Sequence, residues 1–438
     1  MPNTFSLLFL VALLLMSVLR LWLAQRQISH VRAHREAVPE SFSGHIALGA
    51  HQKAADYAVA RARFGRVGLA IDVAVLLGLT FGGGLQALHD FWSHRLDGLP
   101  YGVALVFSVI ALSAVVDLPL TLYHQFVIEE KFGFNRMRLT LFLVDLVKHA
   151  TLGIVIGTPV LLAVLWLMES MGELWWLYVW LFWCGFNLLL LFIYPTWIAP
   201  LFNKFAPLED DALRTRVEAL LARCGFTTSG LFVMDGSKRS GHGNAYFTGF
   251  GKTKRIVFFD TLLGRLQAVE VEAVLAHELG HFRHRHIVKR IGMLFAMSLL
   301  FLAILGQLIS ANWFFNGLGL DARNTALGLV LFFLTGPVFA FFLTPLMSLL
   351  SRRDEFEADS YAAGHASAGN LVSALVKLYE DNAATLTPDP LHSLFYDSHP
   401  PAALRIARLQ DAQAPNRRNC RHDHAATTRA RALPPVAG

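Results

Sequence analysis

The sequence predicts a predominantly α-helical membrane protein with about seven spanning helices and a small α+β domain in its second half. Three observations carry this. Of 438 residues, 54% are hydrophobic and only 16% charged, whereas a soluble globular chain carries about a quarter charged residues. Seven mostly apolar stretches reach the length of about 18 residues that a spanning helix needs. Basic residues gather in alternate loops, as the positive-inside rule requires.

The seven stretches lie at about 4–24, 67–88, 101–122, 150–168, 174–194, 287–309 and 325–350. No Lys or Arg precedes the first, and Arg26, Arg32 and Arg35 follow it, so it reads as an uncleaved span with its amino end outside. Segments 25–66, 123–149, 195–286 and the part after 350 then face the cytoplasm. The first of these holds Arg61, Arg63 and Arg66 among others; the second holds Lys131, Arg136, Arg138 and Lys148. The opposite loops hold little beyond Arg95 and Arg323. Trp175 and Trp176 fit an interfacial belt. Arg20, Asp72, Asp117 and Asn187 lie inside spans, where polar groups face a bundle interior or a watery cavity.

The expected organisation is a membrane region with five spans and cytoplasmic loops at 1–200, and a soluble segment at 201–286. Spans six and seven follow at 287–350, the remainder of the soluble domain at 351–410, and a disordered tail at 411–438. Within the soluble part, 208–223 reads as a helix with Leu213, Val217, Leu220 and Leu221 on one face and Gly225 ending it. Runs 231–234 and 256–259 read as strands flanking a glycine-rich stretch at 240–251. A helix from about 266 to 286 should run on towards the sixth span.

Several functions are excluded. The net charge of +6 needs no nucleic acid, because anionic head groups account for basic loops. Cys184, Cys224 and Cys420 are too few and too scattered for a disulfide framework or a thiolate metal site. A phosphate-binding loop, a dinucleotide fingerprint and a nucleophilic serine elbow are all missing.

The chemistry concentrates in A-H-E-L-G-H-F at 276–282. Residues four apart share a helical face, so His277 and His281 converge on one ion while Glu278 sits beside it. Zinc brings the pKa of a bound water towards neutrality, and the carboxylate takes its proton as the water attacks a carbonyl. A catalytic zinc needs a third protein ligand. His284 and His286 are near in sequence, but continuing the same helix carries them away, which leaves them flanking the membrane interface. S-R-R-D-E-F-E-A-D at 351–359 is the better source. Glu355 could complete the site and Asp359, four residues on, could orient a ligand imidazole; Glu357 points elsewhere, yet spacing separates it from Glu355 only modestly.

These segments, with H-Q-K-A-A-D-Y at 51–57, F-V-I-E-E-K-F-G-F-N at 126–135, P-L-F-N-K-F at 200–205, N-A-Y-F-T-G-F-G-K-T-K-R-I-V at 244–257 and S-H-P-P at 398–401, occur in the order and spacing of a known family. Over roughly 38–408 the chain resembles the type 1 CAAX prenyl proteases, integral-membrane zinc endopeptidases. The resemblance implies seven helices enclosing a water-filled chamber, closed near the cytoplasmic face by a gluzincin-like H-E-x-x-H domain with one Zn2+ per chain. It implies Glu355 rather than Glu357 as third ligand, His399 as stabiliser of the oxyanion, and Arg405 as a partner in that network. It also implies that Asn244, Ala245 and Tyr246 form an edge strand against which an extended substrate pairs. One departure is Leu404, where the family often carries a charge before the arginine.

The expected partners are the lipid bilayer and a peptide or protein substrate, prenylated or membrane-associated. The Ala- and Arg-rich composition points to a bacterial inner membrane, with the site facing the cytoplasm and membrane-protein quality control as the task. The competing class is a transporter or scaffold with a structural zinc, but no paired interrupted helices occur in matching halves.

Overall fold

In lipid, each backbone N–H and C=O must find its partner within its own segment, so apolar runs of this length become helices. The computed structural model describes residues 3–248 and 255–413. Its first part consists of α1 (Thr4–Ala33), α2 (Leu48–Leu79), α3 (Gly84–Ser93), α4 (Gly98–Tyr123), α5 (Leu139–Ser170) and α6 (Trp175–Ile193). Six helices among the described residues are long and apolar enough to cross a bilayer alone. The expected second span is different: it is the pair α2 and α3, bent by 49°. Three consecutive glycines make the bend. Gly83 has φ +75°, and a Cβ on Gly82 would meet the Gly78 carbonyl oxygen at 2.7 Å. Only glycine tolerates both conditions.

The soluble part contains β1 (Phe205–Pro207), α7 (Asp211–Cys224), β2 (Gly230–Met234), β3 (Ala245–Thr248), β4 (Arg255–Phe259), α8 (Asp260–Leu263) and α9 (Ala268–Arg283). Helix α7 matches its expected span because its signals are local. Asp210 accepts a bond from the Leu213 N–H at 2.9 Å, the four apolar residues are buried, and Gly225 closes it at φ +71°. The strands form a sheet of order β1-β2-β4-β3. β2 runs parallel to β4, pairing Leu231 with Ile256, while β3 pairs antiparallel to β4, Ala245 opposite Phe258. Among the described residues β3 is therefore an edge strand with one side unpaired.

The chain returns to the bundle through α10 (His286–Leu308), α11 (Asn312–Asn316) and α12 (Thr325–Ala340). Helix α13 (Thr344–His365) starts in the bundle and ends beside α9; α14 (Ala368–Asp381), α15 (Pro390–Tyr396) and α16 (Ala402–Gln413) finish the soluble layer. Two main cores result. One joins Phe9, Leu105, Leu165, Leu305, Phe315 and Leu327 in the bundle. The other joins Val217, Leu220, Ile256, Phe258, Leu275, Leu279 and Leu371 beneath the sheet. Of the expected tail, 411–413 closes α16, and 414–438 lies outside the described residues, as does 249–254 of the glycine-rich stretch.

Candidate metal centre

Helix α9 is seated before it is functional. The Gln267 N–H donates to Glu270 Oε2 at 2.7 Å, and Glu270 also accepts from Ser373 and Lys377 of α14. Alongside it, α13 comes unusually close. A Cβ on Gly280 would stand 2.8 Å from Ala358 Cα, so this glycine is what admits the second helix. The close approach carries Glu355 over the one-turn pair His277 and His281.

Two imidazole nitrogens and both oxygens of Glu355 then converge. His277 Nε2 and His281 Nε2 are 3.3 Å apart, and each lies 3.4 Å from an oxygen of Glu355. Ligand atoms of a tetrahedral zinc at about 2.0–2.1 Å stand about 3.3–3.4 Å from one another, so each nitrogen–nitrogen and nitrogen–oxygen separation matches that ion. Glu355 Oε2 is buried and without a hydrogen-bond partner. Such an atom costs free energy unless something positive completes it. The residues fit a metal.

Each imidazole is held by its outer nitrogen. His277 Nδ1 faces Asp359 Oδ1 at 2.9 Å, and buried Arg405 clamps Asp359 with bonds of 2.8 and 2.6 Å. His281 Nδ1 faces His286 Nδ1 at 3.0 Å, and His286 Nε2 faces Glu357 Oε2 at 3.1 Å. The electrostatics favour an added cation. Burial works against a charged His277, but Asp359 and Glu355 outweigh it and lift its pKa to about 9. Burial and the neighbouring His277 lower His281 to about 3. The carboxylates of Glu355 and Asp359 thus set a negative field over the two nitrogens.

Beside the triangle is a cleft of about 120 Å³ lined by Gly243, Asn244, Ala245, His277, Glu278, His399 and Arg405, with apolar Leu262, Val274 and Leu371. Burial raises the Glu278 pKa, against the pull of His277. His399 Nε2 lies 3.4 Å from Glu355 Oε1 and its side chain is exposed. Of the expected edge-strand residues, Asn244 and Ala245 line the cleft. Tyr246 does not: its hydroxyl faces Met234 Sδ at 3.9 Å and its ring is edge-on to Phe259.

One expectation needs correction. The helix does not continue from 266 to 286. It ends at Arg283, and Arg285 adopts φ 56°, which starts α10 at His286 on a new axis. His286, the first residue of α10, is thereby buried beside His281 and meets its outer nitrogen. The available signal was chemical: a metal-ligating imidazole needs a partner on its other nitrogen.

The chain matches known families along most of its length. Residues 27–204 match the family described as CAAX prenyl protease N-terminal, five membrane helices, and residues 207–413 match peptidase family M48. The chain belongs to this family. A CAAX prenyl protease 1 homolog of Arabidopsis thaliana is 33% identical over 91% of this chain and 95% of its own length. CAAX prenyl protease 1 of Saccharomyces cerevisiae is 38% identical over 74% of this chain and 75% of its own. The crystal structure of S. mikatae Ste24p superposes with a TM-score of 0.87 at 30% identity, covering 93% of this chain and all of that one. This M48 member is thus a multi-pass membrane metalloendopeptidase acting on peptides or proteins. The transporter or scaffold reading is not favoured.

Proposed function

We propose that this M48 member hydrolyses peptide bonds with one Zn2+ held by His277, His281 and Glu355, and with Glu278 as the proton acceptor. The observation that carries the reading is the set of 3.3, 3.4 and 3.4 Å separations among His277 Nε2, His281 Nε2 and the two oxygens of Glu355, of which Oε2 has no hydrogen-bond partner. When bound, the ion supplies Lewis acidity that polarises the scissile carbonyl and acidifies water. Glu278, at the cleft wall, takes the proton of the attacking water and passes it to the leaving amine. Asp359, gripped by Arg405, keeps the proton of His277 on Nδ1, so that Nε2 stays available. His399 lines the cleft and donates to the oxyanion as the carbonyl becomes tetrahedral. The free edge of β3 near Asn244 aligns the substrate backbone by strand addition, with Tyr246 contributing its main chain only.

The same proposal covers orientation and substrate. Basic residues in the loops at 25–66 and 123–149 support a cytoplasmic site. The Ala- and Arg-rich composition supports a bacterial inner membrane, where membrane-associated proteins under quality control, rather than prenylated tripeptide motifs alone, would be the substrates.

The test is Glu278→Gln. Removing the base while keeping its shape should leave metal content unchanged and lower kcat by about 10²–10⁴-fold. A variant that cleaves a reporter peptide at the wild-type rate would overturn the assignment. Proteins trapped on that variant in membranes, identified by mass spectrometry, would define the substrate class.

A further inference from the structure

We propose that His284, His286 and Glu357 form a second divalent-cation site where the junction of α9 and α10 meets α13, distinct from the catalytic triangle and antagonistic to it. Ligand atoms of these three residues lie within 4.8 Å of one another. The rings of His284 and His286 stack at 5.5 Å with 16° between their planes, so both imidazoles approach the carboxylate from one side. Glu357 Oε2 is 3.1 Å from His286 Nε2 and 3.9 Å from His284 Nδ1. Asp354 Oδ1, 3.5 Å from His286 Nε2, offers a further oxygen. Two imidazoles with carboxylate oxygens suit Zn2+, Ni2+ or Cu2+ rather than Ca2+ or Mg2+.

The site has one fixed wall and two adjustable ones. His286 is buried, whereas the His284 and Glu357 side chains are 40% and 30% exposed and can close the wider gaps around an ion. Two cations compete for the carboxylates: Arg290 reaches Asp354 at 3.4 Å and Arg353 reaches Glu357 at 3.1 Å. Both are surface pairs, and displacing either costs an ion at most about fivefold in affinity.

Antagonism follows from the two faces of His286. If His281 binds its metal through Nε2, its Nδ1 carries the hydrogen and donates to His286 Nδ1 at 3.0 Å. The hydrogen of His286 then sits on Nε2 and points at Glu357. A cation on His286 Nε2 moves that hydrogen to Nδ1, where two N–H groups confront each other across the same 3.0 Å. One ring has to turn, and His281 loses its support. This coupling rests on the proposed role of His281; the second site itself does not.

The experiment uses the full chain in detergent or nanodiscs, stripped with chelator and dialysed against rising free Zn2+. Metal per chain and reporter-peptide cleavage are read together. The wild type should take up a second equivalent at higher free Zn2+, and cleavage should fall over that same range. His284→Leu should lose that second equivalent, retain cleavage at low Zn2+, and shift inhibition by at least tenfold. His277→Ala should lose the first equivalent and keep the second. A wild type that saturates at one equivalent, or a His284→Leu protein inhibited at the wild-type zinc concentration, overturns the proposal. If His277→Ala still holds two equivalents, the catalytic assignment fails while the second site stands.

Discussion

Substituting Gly280→Ala tests whether the close approach of two helices is what builds the metal centre. A Cβ at this position would lie 2.8 Å from Ala358 Cα and 3.1 Å from the Ala358 carbonyl oxygen. Carbon atoms rest at about 3.5–4.0 Å, so α13 must retreat by roughly 0.7 Å. The obstructing atoms are backbone, and no side-chain rotation relieves them. Metal–ligand distances tolerate only about ±0.2 Å, so a shift of that size takes Glu355 out of bonding range of an ion held by His277 and His281. Overpacking of this kind costs about 1–3 kcal/mol of stability, and misplacing a catalytic group by about 1 Å costs about 10²-fold in rate. The variant should therefore stay folded, lose zinc to a chelator far faster than the wild type, and fall about 10²-fold in kcat/KM. Metal content by mass spectrometry, chelator-competition kinetics and peptide cleavage read these quantities. Wild-type zinc retention and activity within twofold would refute the argument that helix spacing positions the third ligand.

Three further outcomes follow from the same geometry. Asp359→Ala removes the carboxylate partner of His277 Nδ1 and leaves the buried Arg405 only its 3.8 Å contact with Glu355; zinc affinity should drop about 10–100-fold, and unchanged chelator competition would contradict it. His399→Ala should lower kcat by about 10²–10³-fold at unaltered metal content; a parallel loss of zinc would make His399 a ligand instead. Because burial raises the Glu278 pKa, its proton persists to higher pH than in a free carboxyl. The ionised base is lost as pH falls through that raised value, so kcat/KM measured at saturating zinc should have its acid limb above the ordinary glutamate value of about 4.3, and the limb should vanish in the residual activity of Glu278→Gln.

The spanning helices were legible because bilayer thickness and backbone satisfaction act on each segment separately. The spans, the two expected strands of the soluble part and the helix Asp211–Cys224 all answer to local patterns. The exceptions are instructive. The second span reads as one apolar run, since hydropathy does not register the φ of Gly83; the bend is a backbone property. Likewise, periodicity carries a helix through 284–286, and only the left-handed conformation of Arg285 breaks it.

By itself the sequence determined the class of protein, the one-turn spacing of His277 and His281 and the glutamate between them, because these depend on composition and helical period alone. Spacing left Glu355 and Glu357 nearly level, and only the family resemblance favoured Glu355; that Glu355 faces the pair in space, and that His286 backs His281, rests on tertiary structure. The reason is physical. Glu355 and His281 are brought together across the α9–α13 contact at Gly280, and the separation of two packed helices is set by the atoms between them, not by the order of residues along either one.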